Sequence, residues 1–351
     1  MKITKLLKGN HALAEGAIAA GCRYFYGYPI TPQSELMERM STAMPEAGGV
    51  FLQAESEVAA INMVIGSAAS GKRVMTASSG PGMDLMQEGL GNIHAHQLPF
   101  VIADIMRAGP GDGALHPGQP DYTQAIKGGR ADTRNITLAP WSVQEMYDLA
   151  IKAFDLADKY RNPVMILAES LLGQVYESLE IDDEIMVCEY EKKWAVSGAE
   201  GRARNLSIAH FPVVEGYNQW QRNLQEKYER IKKLEQKCEK ININEKTKVV
   251  VISYGMVARN TYAAVKNLSE QGYPVGLFRP ITLFPYPVDE LNRIIASGVK
   301  LLVVEMSAGQ MADDIKLQTG KMDITVKPGI AMGDIPMPDE IENWIKEIQL
   351  G

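Results

Sequence analysis

Three side chains are placed to handle charge: Thr31, Glu57 and Arg107. Thr31 belongs to the stretch Gly27-Tyr28-Pro29-Ile30-Thr31-Pro32-Gln33-Ser34, which reads as a strand end entering a helix. Thr31 is the expected N-cap and Pro32 the first helical residue. Such a turn aims free backbone N–H groups and the positive end of a helix dipole at one spot, which favours an anion. Glu57 heads a row of the helix expected over 55–70, in line with Ile61, Val64 and Ala68. Burial at the head of an apolar row would make it a usable proton donor or a strong hydrogen-bond partner. Glu55 lines up instead with Val58, Ala59 and Asn62, a mixed edge. Arg107 closes the apolar run 98–106 and opens a glycine-rich loop, where its planar fork could clamp a carboxylate. Taken singly, each has a plainer reading: a helix cap, an exposed first-turn acid, a surface arginine at a strand end.

The elements that must position them alternate. Strands are expected at 24–26, 50–53, 73–78, 98–106, 136–138 and 163–168, and helices at 10–20, 32–40, 55–70, 83–93 and 143–160. That order means a mostly parallel sheet covered on both faces, with ligands at the carboxyl ends of its strands. The turn at Tyr28–Thr31, the sharp turn Ser79-Gly80-Pro81-Gly82 and Arg107 all follow strands, so they are candidates for one common rim. The loop 107–137 is long and rich in glycine and proline, a form that often carries function. From about 173 to 246 the alternation is lost; a charged helix over 222–241, with Leu224, Tyr228, Ile231, Leu234, Cys238 and Ile241 as its stripe, reads as a bridge. A second, smaller α/β unit follows, with strands at 249–253, 275–278, 300–305 and 324–326. The expected division is therefore a doubly wound domain over 1–180, an irregular segment with a bridging helix over 181–245, and a second domain over 246–351.

Composition narrows the function classes. The 351 residues carry a net charge of −7 and no long basic run, which speaks against nucleic acid. No stretch reaches the roughly 18 apolar residues of a membrane helix. Asn10, His11 and Glu15 interrupt the first apolar segment, a poor signal peptide, so a cytoplasmic protein is expected. Cys22, Cys188 and Cys238 are far apart, against both a disulfide framework and an iron–sulfur cluster on this chain. His94 and His96 stand two apart, on different sides of a helix, with no third ligand near, so a zinc site is not expected. Gly111-Asp112-Gly113 resembles the magnesium–diphosphate motif of thiamine enzymes, but Asn135 is a lone and early asparagine and no apolar strand leads into it; a plain loop is expected.

Together, Tyr28-Pro29-Ile30-Thr31-Pro32, Glu55-Ser56-Glu57, Ser79-Gly80-Pro81-Gly82 and Arg107 resemble the alpha subunits of 2-oxoacid:ferredoxin oxidoreductases. The likeness continues through Ile252-Ser253-Tyr254-Gly255, Arg279-Pro280-Ile281-Thr282-Leu283-Phe284-Pro285 and Val303-Val304-Glu305-Met306. Gln53-Ala54-Glu55-Ser56-Glu57 and Asp158-Lys159-Tyr160-Arg161-Asn162-Pro163 look most like the 2-oxoisovalerate (branched-chain) type. The resemblance implies a pyrimidine-type thiamine diphosphate domain followed by a transketolase C-terminal-like domain. It also implies CoA-dependent oxidative decarboxylation of a 2-oxoacid, with electrons passing to ferredoxin. By position, Glu57 would hydrogen-bond the pyrimidine ring nitrogen, Tyr28, Pro29 and Ile30 would line the ring, and Thr31 and Arg107 would hold the substrate carboxylate. The resemblance places the diphosphate and Mg2+ on a beta subunit and iron–sulfur clusters on a ferredoxin-like subunit. A gamma subunit and a homodimer complete the expected assembly. Roles for Asp112 and His116 stay open. So do a 2-oxoglutarate, pyruvate or aryl pyruvate enzyme, a self-sufficient transketolase-type enzyme, and a non-catalytic assembly subunit. A branched aliphatic substrate is favoured because residues 108–115 hold no cation for a second carboxylate, although Lys127, Arg130 and Arg134 could fold back.

Overall fold

The computed structural model describes residues 2–129, 131–182, 187–208, 210–328 and 335–350. The strands, in chain order, are β1 (Lys2–Lys8), β2 (Tyr24–Gly27), β3 (Val50–Gln53), β4 (Val74–Ser78), β5 (Phe100–Met106), β6 (Ile136–Leu138) and β7 (Pro163–Glu169). They continue as β8 (Tyr176–Asp182), β9 (Cys238–Ile241), β10 (Val249–Ile252), β11 (Val275–Pro280), β12 (Thr282–Phe284), β13 (Lys300–Glu305) and β14 (Thr325–Pro328). The first sheet has the order β12-β6-β7-β5-β4-β2-β3, parallel except where β12 joins β6; the second has the order β14-β13-β10-β11-β9. Every residue of β5 and of β7 is buried, as expected of central parallel strands covered on both faces. One cover is the helix Val143–Tyr160, which falls on the residues expected and whose Ser142 hydroxyl caps the Glu145 N–H at 3.1 Å.

Four expectations about local structure change. The helix expected from Pro32 begins at Ser34, with Gln33 as its N-cap, so Thr31 caps nothing. The reason is a tight turn: the Gln33 N–H bonds the Ile30 carbonyl at 3.0 Å and holds Pro32 outside the helix. The helix expected over 83–93 is two pieces, Pro81–Leu85 and Gln87–His96. The charged helix spans Val214–Leu234 and then stops; Cys238–Ile241 leaves it to become β9, antiparallel to β11. The segment read as patternless contains β8, which pairs with β1, a strand not expected at all.

Among the contacts that tie the second unit to the first are a strand pairing and a buried ion pair. Strand β12 crosses over and pairs with β6. Arg279, fully buried on β11, grips both oxygens of Glu145 at 2.6 and 2.8 Å, bonds Glu239 at 2.9 Å, and lies 4.1 Å over the Trp141 ring.

Candidate functional site

The site is built from strand ends of the first sheet. After β2, the chain makes the turn Tyr28–Gln33, pinned from three sides. The Gln33 amide donates to the Tyr28 carbonyl (2.9 Å), Asn10 donates to the Pro32 carbonyl (2.9 Å), and Arg107 Nη1 donates to the Thr31 carbonyl (2.9 Å). The Thr31–Pro32 peptide is cis. Pinning by its own backbone leaves the side chains outward: Tyr28, Pro29 and Thr31 are exposed and Ile30 is half-buried.

Glu57 is the first residue of the helix Glu57–Ala69. Ser56 caps that helix, accepting the Ala59 N–H at 3.2 Å. Glu57, Ile61, Val64 and Ala68 are all buried, the row read from the sequence, whereas Glu55 is exposed ahead of the helix. Among the described residues none donates a hydrogen bond to the Glu57 carboxylate. The turn after β4 comes close to it: a Cβ on Gly82 would lie 2.5 Å from Glu57 Oε1 and would also overlap the Ser78 hydroxyl. Only a residue without a side chain admits the carboxylate here.

Arg107 follows β5 and is 7% exposed. Its Nε is buried without a protein partner, and a Cβ on Gly80, whose φ is +47°, would stand 3.2 Å from that nitrogen. The exposed Asp112 carboxylate lies 3.8 Å from Nη2, too open and distant to be strong. Beyond Arg107 opens a cavity of about 500 Å3 between the two units; Met306, Ser307 and Gln310 come from the second and Asp84, Pro120 and Asp121 from the first. Arg107 is the single cation among its described lining residues. Burial and the Asp84 charge raise the Asp121 carboxyl to about 6, against the pull of Arg107. Beneath the cavity, Asp104 is fully buried in β5 beside Ser78 of β4, and both of its oxygens lack a protein partner. Burial first, then the Asp121 and Asp84 charges, push its carboxyl well above the usual range.

Thus Thr31, Glu57 and Arg107 share one rim, linked through Gly80 and Gly82. The candidate cations Lys127 and Arg134 do not reach it: both line another hollow, and Lys127 pairs with Asp314 at 3.3 Å. Arg130 lies outside the described residues. Gly111-Asp112-Gly113 is the tip of a small hairpin, bridged between Ala108 and Ala114, with positive φ at both glycines. The His116 side chain is exposed, and its carbonyl accepts the Ala108 N–H at 3.0 Å. His94 is a buried packing group between Asn135 (2.9 Å) and the Tyr228 hydroxyl (3.3 Å), and desolvation lowers it to about 3.

Sequence reading missed Asp104, Asp121, Gln119 and Glu169. Asp104 gave a signal, a lone acid within a wholly apolar strand. Gln119 gave none, yet it is the hinge of the loop. Its amide donates to Glu169 (2.5 Å) and to the Tyr254 carbonyl (3.1 Å), while its backbone N–H and side-chain oxygen engage the Met306 backbone, both at 2.9 Å. Glu169, fully buried, is raised by desolvation to about 7.

A group that needs a buried, unpartnered carboxyl and a glycine-floored approach fits the Glu57–Gly82 corner, and an aminopyrimidine meets that description. The family model for pyruvate flavodoxin/ferredoxin oxidoreductase, thiamine diphosphate-binding, matches residues 15–246, and that for pyruvate:ferredoxin oxidoreductase core domain II matches 247–341. The chain is 44% identical over 346 residues to ketoisovalerate oxidoreductase subunit VorB of Methanothermobacter thermautotrophicus, covering 98% of each. It is 35% identical over 369 residues to 2-oxoglutarate synthase subunit KorA of Methanocaldococcus jannaschii, covering 98% of this chain and 100% of the other. Among solved structures, 2-oxoglutarate:ferredoxin oxidoreductase from Magnetococcus marinus, with 2-oxoglutarate, coenzyme A and succinyl-CoA bound, superposes with a TM-score of 0.91 at 26% identity. That match covers 98% of this chain and 65% of the other.

Proposed function

The chain belongs to the 2-oxoacid:ferredoxin oxidoreductase family, and from that membership we propose that it is the alpha-type subunit of an enzyme that oxidatively decarboxylates a branched-chain 2-oxoacid. The reaction takes 2-oxoacid, coenzyme A and oxidised ferredoxin to acyl-CoA, carbon dioxide, a proton and reduced ferredoxin. Thiamine diphosphate, when bound, supplies the stabilisation of the acyl carbanion equivalent. The chain's own residues orient and protonate. Glu57 would hydrogen-bond the pyrimidine ring nitrogen, Tyr28, Pro29 and Ile30 would form the open wall beside that ring, and Arg107 with Thr31 would seat the substrate carboxylate. Mg2+ and the diphosphate belong to a beta subunit, the iron–sulfur clusters to a ferredoxin-like subunit, and a gamma subunit and a second copy of this chain complete the assembly. We place it in the cytoplasm; among the described residues no helix is long and apolar enough to cross a membrane.

The observation that carries this reading is the Glu57 carboxylate, buried at a helix start, without a hydrogen-bond donor among the described residues, and with Gly82 close against it. A pure assembly subunit has no use for such a group. The branched acyl group is supported by the VorB relative and by a cavity with Arg107 as the one cation among its described lining residues, which the substrate's first carboxylate would take. The test is Glu57→Gln in the reconstituted complex, read by hydrogen–deuterium exchange at the thiazolium carbon. Exchange should slow by about 100-fold or more with the fold intact. An unchanged rate rejects the assignment.

A further inference from the structure

We infer that Asp84 and Asp121 determine specificity by repulsion: they wall the cavity beyond Arg107 and turn away 2-oxoacids that carry a second negative charge. The inference rests on the reading that Arg107 seats the first carboxylate, and it adds what the tail then meets. Selectivity between a branched and a dicarboxylic 2-oxoacid is a difference of affinities, and a repulsive element against the competitor serves as well as a fit to the substrate.

The geometry supplies that element. The tail of a substrate held at Arg107 enters a space with Pro120 and Met306 as apolar lining and Asp84 and Asp121 as charged lining. Neither acid has an ion-pair partner among the described residues. Among the described residues Asp84 accepts only the neutral Gln124 amide, at 2.6 Å, and Asp121 Oδ2 is buried without a hydrogen-bond partner. The groups facing Asp121 are Asp84 on the helix Pro81–Leu85, Asp104 below on β5, whose carboxyl burial pushes well above the usual range, and the fully buried, neutral Tyr254 phenol from the second unit, so the charges set beside it are acidic apart from Arg107. Only Arg107 opposes them, and it is committed. A second carboxylate would therefore be brought beside the half-buried Asp121 charge, with the exposed Asp84 adding a weaker, water-screened repulsion, whereas an isopropyl group brings no charge to either acid.

The experiment compares kcat/KM for 2-oxoisovalerate and 2-oxoglutarate in the assembled complex, for wild type, Asp121→Asn, Asp84→Asn and the double variant. Removing one unit charge at this range should shift the ratio toward 2-oxoglutarate by about tenfold, and the double variant should shift it further. The inhibition constant of 2-oxoglutarate against 2-oxoisovalerate should fall in parallel. A second arm needs no mutation. Asp121 loses its charge as pH falls through about 6, so wild-type discrimination should weaken below that pH and hold above it. A wild type that prefers 2-oxoisovalerate, with a ratio unmoved by all three variants and by pH, overturns the inference and leaves the proposed function standing. A wild type that prefers 2-oxoglutarate overturns the substrate reading and this inference together.

Discussion

Arg107 has three kinds of neighbour, and each explains a feature of its position. Its Nη1 is spent on the Thr31 carbonyl, its Nε lies where a side chain on Gly80 would crowd it, and Nη2 lies 3.8 Å from the exposed Asp112 carboxylate. One edge of the guanidinium thus fixes the residue to the turn, and the other is available to an anion. Lysine in its place would keep the charge but lose the edge that binds Thr31. Arg107→Lys should lower kcat/KM for the 2-oxoacid by roughly 10- to 100-fold and change coenzyme A kinetics less. Steady-state kinetics with each substrate varied in turn measures this; equal losses for both would assign Arg107 a general structural role. The positions of Arg107 at a strand end and of Glu57 at the head of a buried row were legible in the sequence because strand ends and helix rows follow simple periods. Thr31 was only half legible. Its place after a strand end holds, but its capping role dissolves because Gln33, two residues on, and Asn10, far outside the stretch, hold the turn in another shape.

At the scale of elements, the loop after β5 is held by the second unit rather than by its own glycines. Gln119 is the fastener, fully buried and bonded to Glu169, Tyr254 and the Met306 backbone. Gln310 adds bonds to the Pro120 carbonyl and the Thr123 N–H, and the Tyr122 hydroxyl reaches Asp314 at 3.0 Å. Gln119→Ala would leave the Glu169 carboxyl and two backbone groups short of partners, a loss of about 1–3 kcal/mol. The expected outcome is a lowered melting temperature together with faster proteolysis within 107–121, measured on the isolated chain. An unchanged cleavage pattern would show that the loop is ordered by other contacts. None of this was visible beforehand, since a glutamine in a loop carries no period. The same limit explains β9: Leu224, Tyr228 and Ile231 continue at helical spacing into Leu234, Cys238 and Ile241, yet Leu234 is 54% exposed and the chain turns into a strand. Strand pairing such as β1 with β8 joins residues that are far apart in sequence, which local patterning cannot register.

For the whole molecule, the decisive property is what this chain leaves open. The wall formed by Tyr28 and Pro29 faces outward, and β3, the edge of the first sheet beside it, shows Val50 and Leu52 at 43% and 40% exposure, with Val58 at 44%. A cofactor ring held at Glu57 would therefore be covered on one side only, and an open site cannot exclude water from charged chemistry. The three cysteines are free thiols in unlike surroundings. Cys22 is fully buried, with its thiol pushed up to about 12 by desolvation, while Cys188 is exposed and Cys238 half-buried on β9. Cys238 is itself raised to about 11 by burial and by the Glu290 charge, so it too stays a thiol at neutral pH. The isolated chain is accordingly expected to fold, to bind thiamine diphosphate weakly or not at all, and to show no turnover of any 2-oxoacid with an artificial electron acceptor. Calorimetric titration with thiamine diphosphate and Mg2+, followed by an acceptor-reduction assay before and after adding the partner subunits, measures both halves of this expectation. Turnover by the chain alone would contradict a cofactor site shared between subunits. Binding without turnover would instead show that Glu57 and the Tyr28–Thr31 wall hold the ring unaided and that the partners contribute the chemistry of electron removal.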